Sequence, residues 1–340
     1  MMAGEVTIMG LTVKAGSRRR DEIHIAYMAD GQPMVVPFWV INGVKPGKRL
    51  LLSAMTHGDA CIGAEAIFKV MESIDEAKIS GTIVAFPCVN PAGFEGGERN
   101  CTIDRLNMNR QFPGFKTGWF CDRVCASISP IFKECDACID WHGGSGPNSI
   151  HYINFTRAGD SECIRMNTEL AYAFGTEFLY TGKTAGPASQ YEGTIQDEFI
   201  KQGKPCILAE IGGGIHIPQD QIKASVIGVH NVMKLYGMED GEMELPQKQI
   251  LLKRRVLARP SEGGLFIPHH GPELMNAVVP KDTLLFEVRN IVTGDILERY
   301  YTPYEQNAII KMRGMISKVE PGDYGYLIGD MTDAEIRENF

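Results

Sequence analysis

"RLLLSAMTHGDACIGAEAIFKVMESI", residues 49–74, changes its period partway along. "RLLLSAM" is an apolar run of strand length, whereas "AEAIFKVMESI" places its apolar residues at helical spacing. The stretch therefore reads as a buried strand, a polar turn holding His57 and Asp59, and an amphipathic helix. A buried strand that feeds a helix is the repeating unit of a layered α/β domain.

The unit recurs on the C-terminal side. "TIVAFPCVNP", "CDACIDWHGG" and "PCILAEIGGG" are further apolar runs, and "CDRVCASISPIFKEC", "ECIRMNTELAYAFG" and "QIKASVIGVHNVMKLYG" have helical periodicity between and after them. Before residue 48 the pattern alternates instead: "VTIMGLTV", "IHIAYMA" and "MVVPFWVING" read as antiparallel strands, placed here as N-terminal β segments (1–47) packed on the main domain. After the acidic stretch "MEDGEMELPQKQ" helical periodicity disappears. "LLKRRVLARP", "GGLFIPH", "TLLFEVRN", "ILERYYTP" and "AIIKMRG" then predict a small all-β module over 247–335. The α/β domain, with a mixed sheet, spans 48–240.

Composition narrows the function class. A net charge of −8 offers no footprint for a phosphate backbone, and "GSRRRDE" is the only tight basic run, so no nucleic-acid partner is expected. No apolar stretch reaches membrane-spanning length and the first residues lack a signal-peptide pattern, so the expected setting is the cytoplasm, away from the membrane. Nine cysteines, an odd number, suit a reducing compartment. Cys121, Cys125, Cys135 and Cys138 are spaced suggestively for a structural zinc, but their helix and strand settings read them as small core residues.

In an open α/β sheet, ligands bind beyond the carboxyl ends of the strands. The polar residues there are His57 and Asp59, Asn90, Asp140 and His142, and Glu210. Two histidines with neighbouring carboxylates is the donor chemistry of a catalytic zinc site.

Taken together, "THGDACIG", "NPAGFEGGERN", "LNMNRQFPG", "CIDWHGG" and "CILAEIGG" resemble the aspartoacylase and succinylglutamate desuccinylase family of the zinc carboxypeptidase superfamily, over about residues 48–237. The resemblance implies a zinc-carboxypeptidase-like fold and one Zn2+ per chain, with His57 and His142 as metal ligands. It implies Glu210 as the catalytic carboxylate, Asn109 and Arg110 as the grip on a substrate carboxylate, and Arg99 as the residue that steadies the oxyanion, with Arg105 as the alternative counterpart. The activity implied is zinc-dependent amidohydrolysis, a deacylase acting on a small, anionic N-acyl amino acid or related amide. A carboxypeptidase is the nearest alternative chemistry. The C-terminal module is similar to the β-barrel-like lid that caps the site in bacterial members, and its exposed strand edges allow a homo-oligomer.

Two positions depart from the family pattern. Where the family has a glutamate ligand three residues after the first histidine, this chain has Ala60, and the aspartate expected before the "LNR" motif is Asn107. The third ligand is therefore open between Asp59, whose alternative role is to cap the helix, water or substrate oxygen, and Cys61. Without a third ligand, a carboxylate-binding protein that does not hydrolyse becomes the second functional reading.

Overall fold

The structure is a computed structural model that describes residues 3–143, 148–181, 192–213 and 218–339, apart from the side chain of Asn276. A ten-stranded mixed sheet forms its centre. In spatial order the strands are Glu335–Glu338, Lys248–Leu252, Phe178–Tyr180, Tyr152–Asn154, Cys206–Glu210, Ala137–His142, Lys45–Ala54, Ser80–Phe86, Pro33–Asn42 and Ser17–Tyr27. The strands Cys206–Glu210, Ala137–His142, Lys45–Ala54 and Ser80–Phe86 run parallel to one another.

Both faces of this sheet are covered, which is why its central strands read as unbroken apolar runs rather than alternating ones. Leu50, Leu52 and Ala54 face the helices Cys61–Ser73, Ser161–Phe174 and Gln219–Leu235 through Ile67, Leu170 and Val229. Leu51 faces the opposite layer, where Val124, Cys125 and Phe199 from the helices Phe120–Ile128 and Ile195–Ile200 share a core with the hairpin residues Ile8 and Leu11. The first helix lies close on the sheet because Gly63 faces Trp141 and Ala54; a β-carbon at residue 63 would come within 2.7 Å of the Trp141 Cβ.

The C-terminal module consists of two antiparallel sheets on one core. One contains the strands Arg255–Ala258, Val278–Pro280, Gln306–Met312 and Tyr326–Asp330; the other contains Gly264–Pro268, Leu284–Arg289, Ile296–Tyr301 and Ser317–Val319. Phe286 stacks on Phe266, Tyr300 and Tyr326 at the centre of this core.

The domain limits read from sequence differ from this picture at both ends. Ser17–Tyr27 and Pro33–Asn42 are strands of the main sheet itself, not segments packed on it. At the other end, Lys248–Leu252 and Glu335–Glu338 close the main sheet, so the β module is the segment between them. Periodicity marks where strands are; which sheet a strand joins is decided by long-range pairing. The short elements Pro91–Gly96, Phe178–Tyr180 and Ile195–Ile200 were also too brief to leave a periodic signal.

Candidate active site

The strand Lys45–Ala54 ends at Met55, whose φ of 56° lies in the left-handed region. This turn directs Thr56 and His57 over the carboxyl ends of the parallel strands. Gly58 follows because the chain there touches the helix Pro91–Gly96: a β-carbon would sit 2.0 Å from the Gly93 carbonyl carbon, and no other residue fits. Asn90 locks this corner by accepting from the Gly93 amide at 2.9 Å.

His142 ends the neighbouring strand, and its ring centroid lies 5.1 Å from that of His57. An ion held tetrahedrally by one nitrogen of each ring at 2.0–2.1 Å would set two imidazole centroids about 5 Å apart. The two rings therefore have the separation of a shared ion. His142 Nε2 lies 2.9 Å from Asp140 Oδ2, and the other oxygen of Asp140 accepts from Ser53 at 2.7 Å. A carboxylate behind the imidazole fixes its orientation, as in carboxylate–histidine–metal arrangements. His57 Nε2 lies 3.2 Å from Asn107 Oδ1, while His57 Nδ1 is buried without a hydrogen-bond partner. Burial holds the His57 imidazole well below its usual pKa, helped by the charges of Arg99, His142 and Arg110. A neutral ring with an unpaired buried nitrogen is a ready metal donor.

Among the described residues, no trio of His, Cys, Asp or Glu side chains that includes His57 and His142 brings its ligand atoms within 4.8 Å of one another. Asp59 lies in the turn, where its charge acts on the Cys61 thiol, and it does not cap the helix: the cap position is Ala60, with no side-chain bond. Cys61 is exposed, its sulfur 3.7 Å from the Gly58 carbonyl oxygen. Among the described residues, the donor set at this corner is the two imidazoles.

Glu210 stands opposite His142 in the strand register. Its carboxylate accepts from Lys311 Nζ at 2.6 Å, and both side chains are largely buried, 17% and 16% exposed. Burial pushes the Glu210 carboxyl up, but Lys311, with His142 and Arg255, outweighs it and brings it down to about 2. Lys311 belongs to the β module. Its strand pairs with Asn148–Ser149 of the main domain, and a register shift between Ile309 and Lys311 precedes the contact. Bulges of this kind re-aim side chains beside active sites. Arg255, from the same module, lies 3.8 Å above the Tyr180 ring and donates to the Tyr152 hydroxyl at 3.4 Å.

The remaining residues expected at the site fall on one loop. Asn109 is buried at 6% exposure, with Oδ1 free of a hydrogen-bond partner, and Arg110 donates to the Asn109 carbonyl oxygen. Asn107 ties this loop to the histidine pair, accepting from the Asn109 amide at 3.1 Å while it meets His57. Of the two arginines, Arg99 is the one whose charge reaches His57; Arg105 is turned to solvent and paired with Glu98 at 2.7 Å. The glycines after Glu210 have positive φ at Gly212 and Gly213, and Gly214 lies outside the described residues. Cys121, Cys125, Cys135 and Cys138 are buried core residues, and no three of them converge on a point. Sequence reading missed Lys311 and Arg255; the one local signal for Lys311 was a lysine inside the apolar run "AIIKM".

The ion pair makes a stability prediction. A folded-state carboxyl below its ordinary 4.5 contributes stability above that pH and loses it as pH falls toward about 2. Lys311→Met, which strands a buried carboxylate, should cost about 3 kcal/mol at pH 7. The gap to wild type should narrow between pH 4.5 and 2, measured by urea denaturation across that range. An equal gap at all pH values would mean that packing, not charge, is lost.

The profile of the succinylglutamate desuccinylase/aspartoacylase catalytic domain matches residues 46–236. The N-alpha-acetyl-L-2,4-diaminobutyric acid deacetylase of Halomonas elongata is 25% identical over 219 residues, 63% of this chain and 62% of that enzyme. The chain thus aligns with under two thirds of that relative's length. A succinylglutamate desuccinylase from a Silicibacter species superposes with a TM-score of 0.80 at 19% identity, covering 97% of this chain and 98% of the other. The product-bound ectoine utilization protein EutE (DoeB) of Ruegeria pomeroyi gives 0.78 at 21% identity, over 91% and 93%. These superpositions establish the fold. Among the described residues, no helix is long and apolar enough to cross a membrane.

Proposed function

The chain belongs to the succinylglutamate desuccinylase/aspartoacylase family, and from that premise we propose that it is a zinc-dependent deacylase that hydrolyses the amide of a small, carboxylate-bearing N-acyl amino acid. The observation that carries this reading is the pair of facing imidazoles, 5.1 Å apart, with Glu210 in register beside His142. A fold-level likeness alone would not carry it, because one fold hosts many chemistries.

His57 and His142 would hold the ion. Zn2+ there would supply Lewis acidity, lowering the pKa of water and polarising an acyl carbonyl. Glu210, kept ionised by Lys311, takes the proton of the attacking water and returns it to the leaving nitrogen, so that amide and water become carboxylic acid and amine. Its carboxyl is far below neutral pH, which secures ionisation at a cost in basicity. Arg99 lies near enough to His57 to steady negative charge developing on the acyl oxygen. Arg110, beside the unpaired Oδ1 of Asn109, grips the substrate carboxylate with its planar fork.

The test is release of free amine by the zinc-loaded protein from a panel of N-acetyl and N-succinyl amino acids, diaminobutyrate, aspartate and glutamate derivatives included. Turnover of one acyl class that chelation abolishes supports the proposal; inactivity on the whole panel with zinc bound would sink it. Arg110→Lys keeps the charge but loses the fork, and should raise KM roughly tenfold with a smaller change in kcat. Ala60 favours a second reading, a protein that binds the carboxylate without cleaving it. Substrate binding by calorimetry, without product formation at full zinc loading, would select that reading.

A further inference from the structure

Cys101 and Cys121 meet behind the loop that carries Asn107, Asn109 and Arg110. Cys101 and Asp104 precede that loop, and Cys121 is the second residue of the helix Phe120–Ile128. Two sulfurs and a carboxylate oxygen from these residues all lie within 4.8 Å of one another, the one such trio among the described residues. Cys121 Sγ is 3.2 Å from Asp104 Oδ1. Asp104 is held in place by the peptide N–H of Cys121 at 2.7 Å and that of Leu106 at 3.1 Å. Both cysteines are fully buried.

Among the described residues, no lysine or arginine forms an ion pair with Asp104, and the adjacent Arg105 is committed to Glu98. Three groups that can each carry a negative charge thus converge, largely out of water, without a positive partner.

We propose that Cys101, Asp104 and Cys121 form a metal site separate from His57 and His142, suited to a soft divalent ion such as Zn2+ with water as fourth ligand. Zinc–sulfur bonds of about 2.3 Å place two sulfurs about 3.8 Å apart in a tetrahedral site, a separation inside the 4.8 Å that bounds this trio. Binding releases the protons of both thiols to solvent and changes no oxidation state. The ion would tie the segment 101–104 to the helix at 120–128 and so brace the substrate loop strung between them. This site stands apart from the deacylase reading and survives its failure.

Cobalt distinguishes the two sites, because thiolate ligands give an intense near-ultraviolet charge-transfer band that imidazoles do not. The metal-free full chain, reduced with a phosphine, is titrated with Co2+. The expected result is a thiolate-to-cobalt band that saturates at about one ion per chain, persists in His57→Ala, and is lost in Cys101→Ser and in Cys121→Ser. Should the serine variants fail to fold, Asp104→Asn, which retains an oxygen acceptor for the two amides, is expected to weaken Co2+ binding at least tenfold. Absence of the band in the folded, reduced wild type overturns the site, as does a band that survives both serine substitutions or an unchanged affinity in Asp104→Asn.

Discussion

Ala60→Glu is expected to tighten Zn2+ binding by at least about 100-fold, a gain of roughly 2.8 kcal/mol. The reasoning is geometric. The Ala60 amide donates to the His57 carbonyl oxygen at 3.0 Å, so the two residues close one turn on the same corner of the strand ends. A carboxylate on residue 60 would complete a two-nitrogen, one-oxygen donor set with a fourth position left for water. Changes even to residues behind a ligand alter metal affinity by 10–100-fold, and a direct ligand should do no less. The position is 2% exposed, so the new side chain has little access to solvent and its charge must be neutralised by the ion. Competition with a chelating dye measures the effect. An affinity equal to wild type would show that the imidazoles are not presented to an ion at that corner, and the deacylase proposal would lose its foundation. A rise in affinity accompanied by a rise in kcat would mean that activity in the native chain is limited by metal occupancy.

Glu210→Gln should lower kcat by about 1000-fold, near 4 kcal/mol in the barrier, with metal content and KM little changed. Glutamine has the shape of the glutamate but accepts no proton at neutral pH. The variant also removes the negative partner of Lys311, so the ammonium is left buried; its pKa, raised in wild type by Glu210 against the opposing effect of burial, should fall. Activity at zinc saturation is the readout. If kcat falls less than tenfold, another base operates and Glu210 serves to seat the β module through Lys311. Pairing this result with Lys311→Met separates the roles: a catalytic carboxylate tolerates loss of the lysine better than a purely structural ion pair tolerates loss of either member.

The placement of the candidate site residues at the strand ends was legible in the residues alone. His57, His142 and Glu210 each follow an apolar run, and a strand's carboxyl end is where a layered α/β sheet presents its chemistry. The family motifs placed Asn109, Arg110 and Arg99 on one connecting segment, and the structure has them there. The choice between Arg99 and Arg105 was not legible, because six residues of loop carry no periodicity; the ion pair of Arg105 with Glu98 turns it away. The vacancy at Ala60 was visible in sequence, but how it is met was not. Asp59 was one of the ligands considered, and here its side chain does not join the two imidazoles in a set of three.

Strand and helix positions, the alternation that makes a layered sheet, and the two histidines at its edge follow from local pattern, since burial of one face imposes a period on the chain. Tertiary structure alone decided the rest. Lys311 reaches Glu210 across 101 positions, and Cys101 meets Cys121 across a loop. It likewise assigned Lys248–Leu252 to the main sheet instead of the β module. Such meetings depend on which strands pair and in what register, a balance of long-range contacts against chain entropy that no short window of residues records.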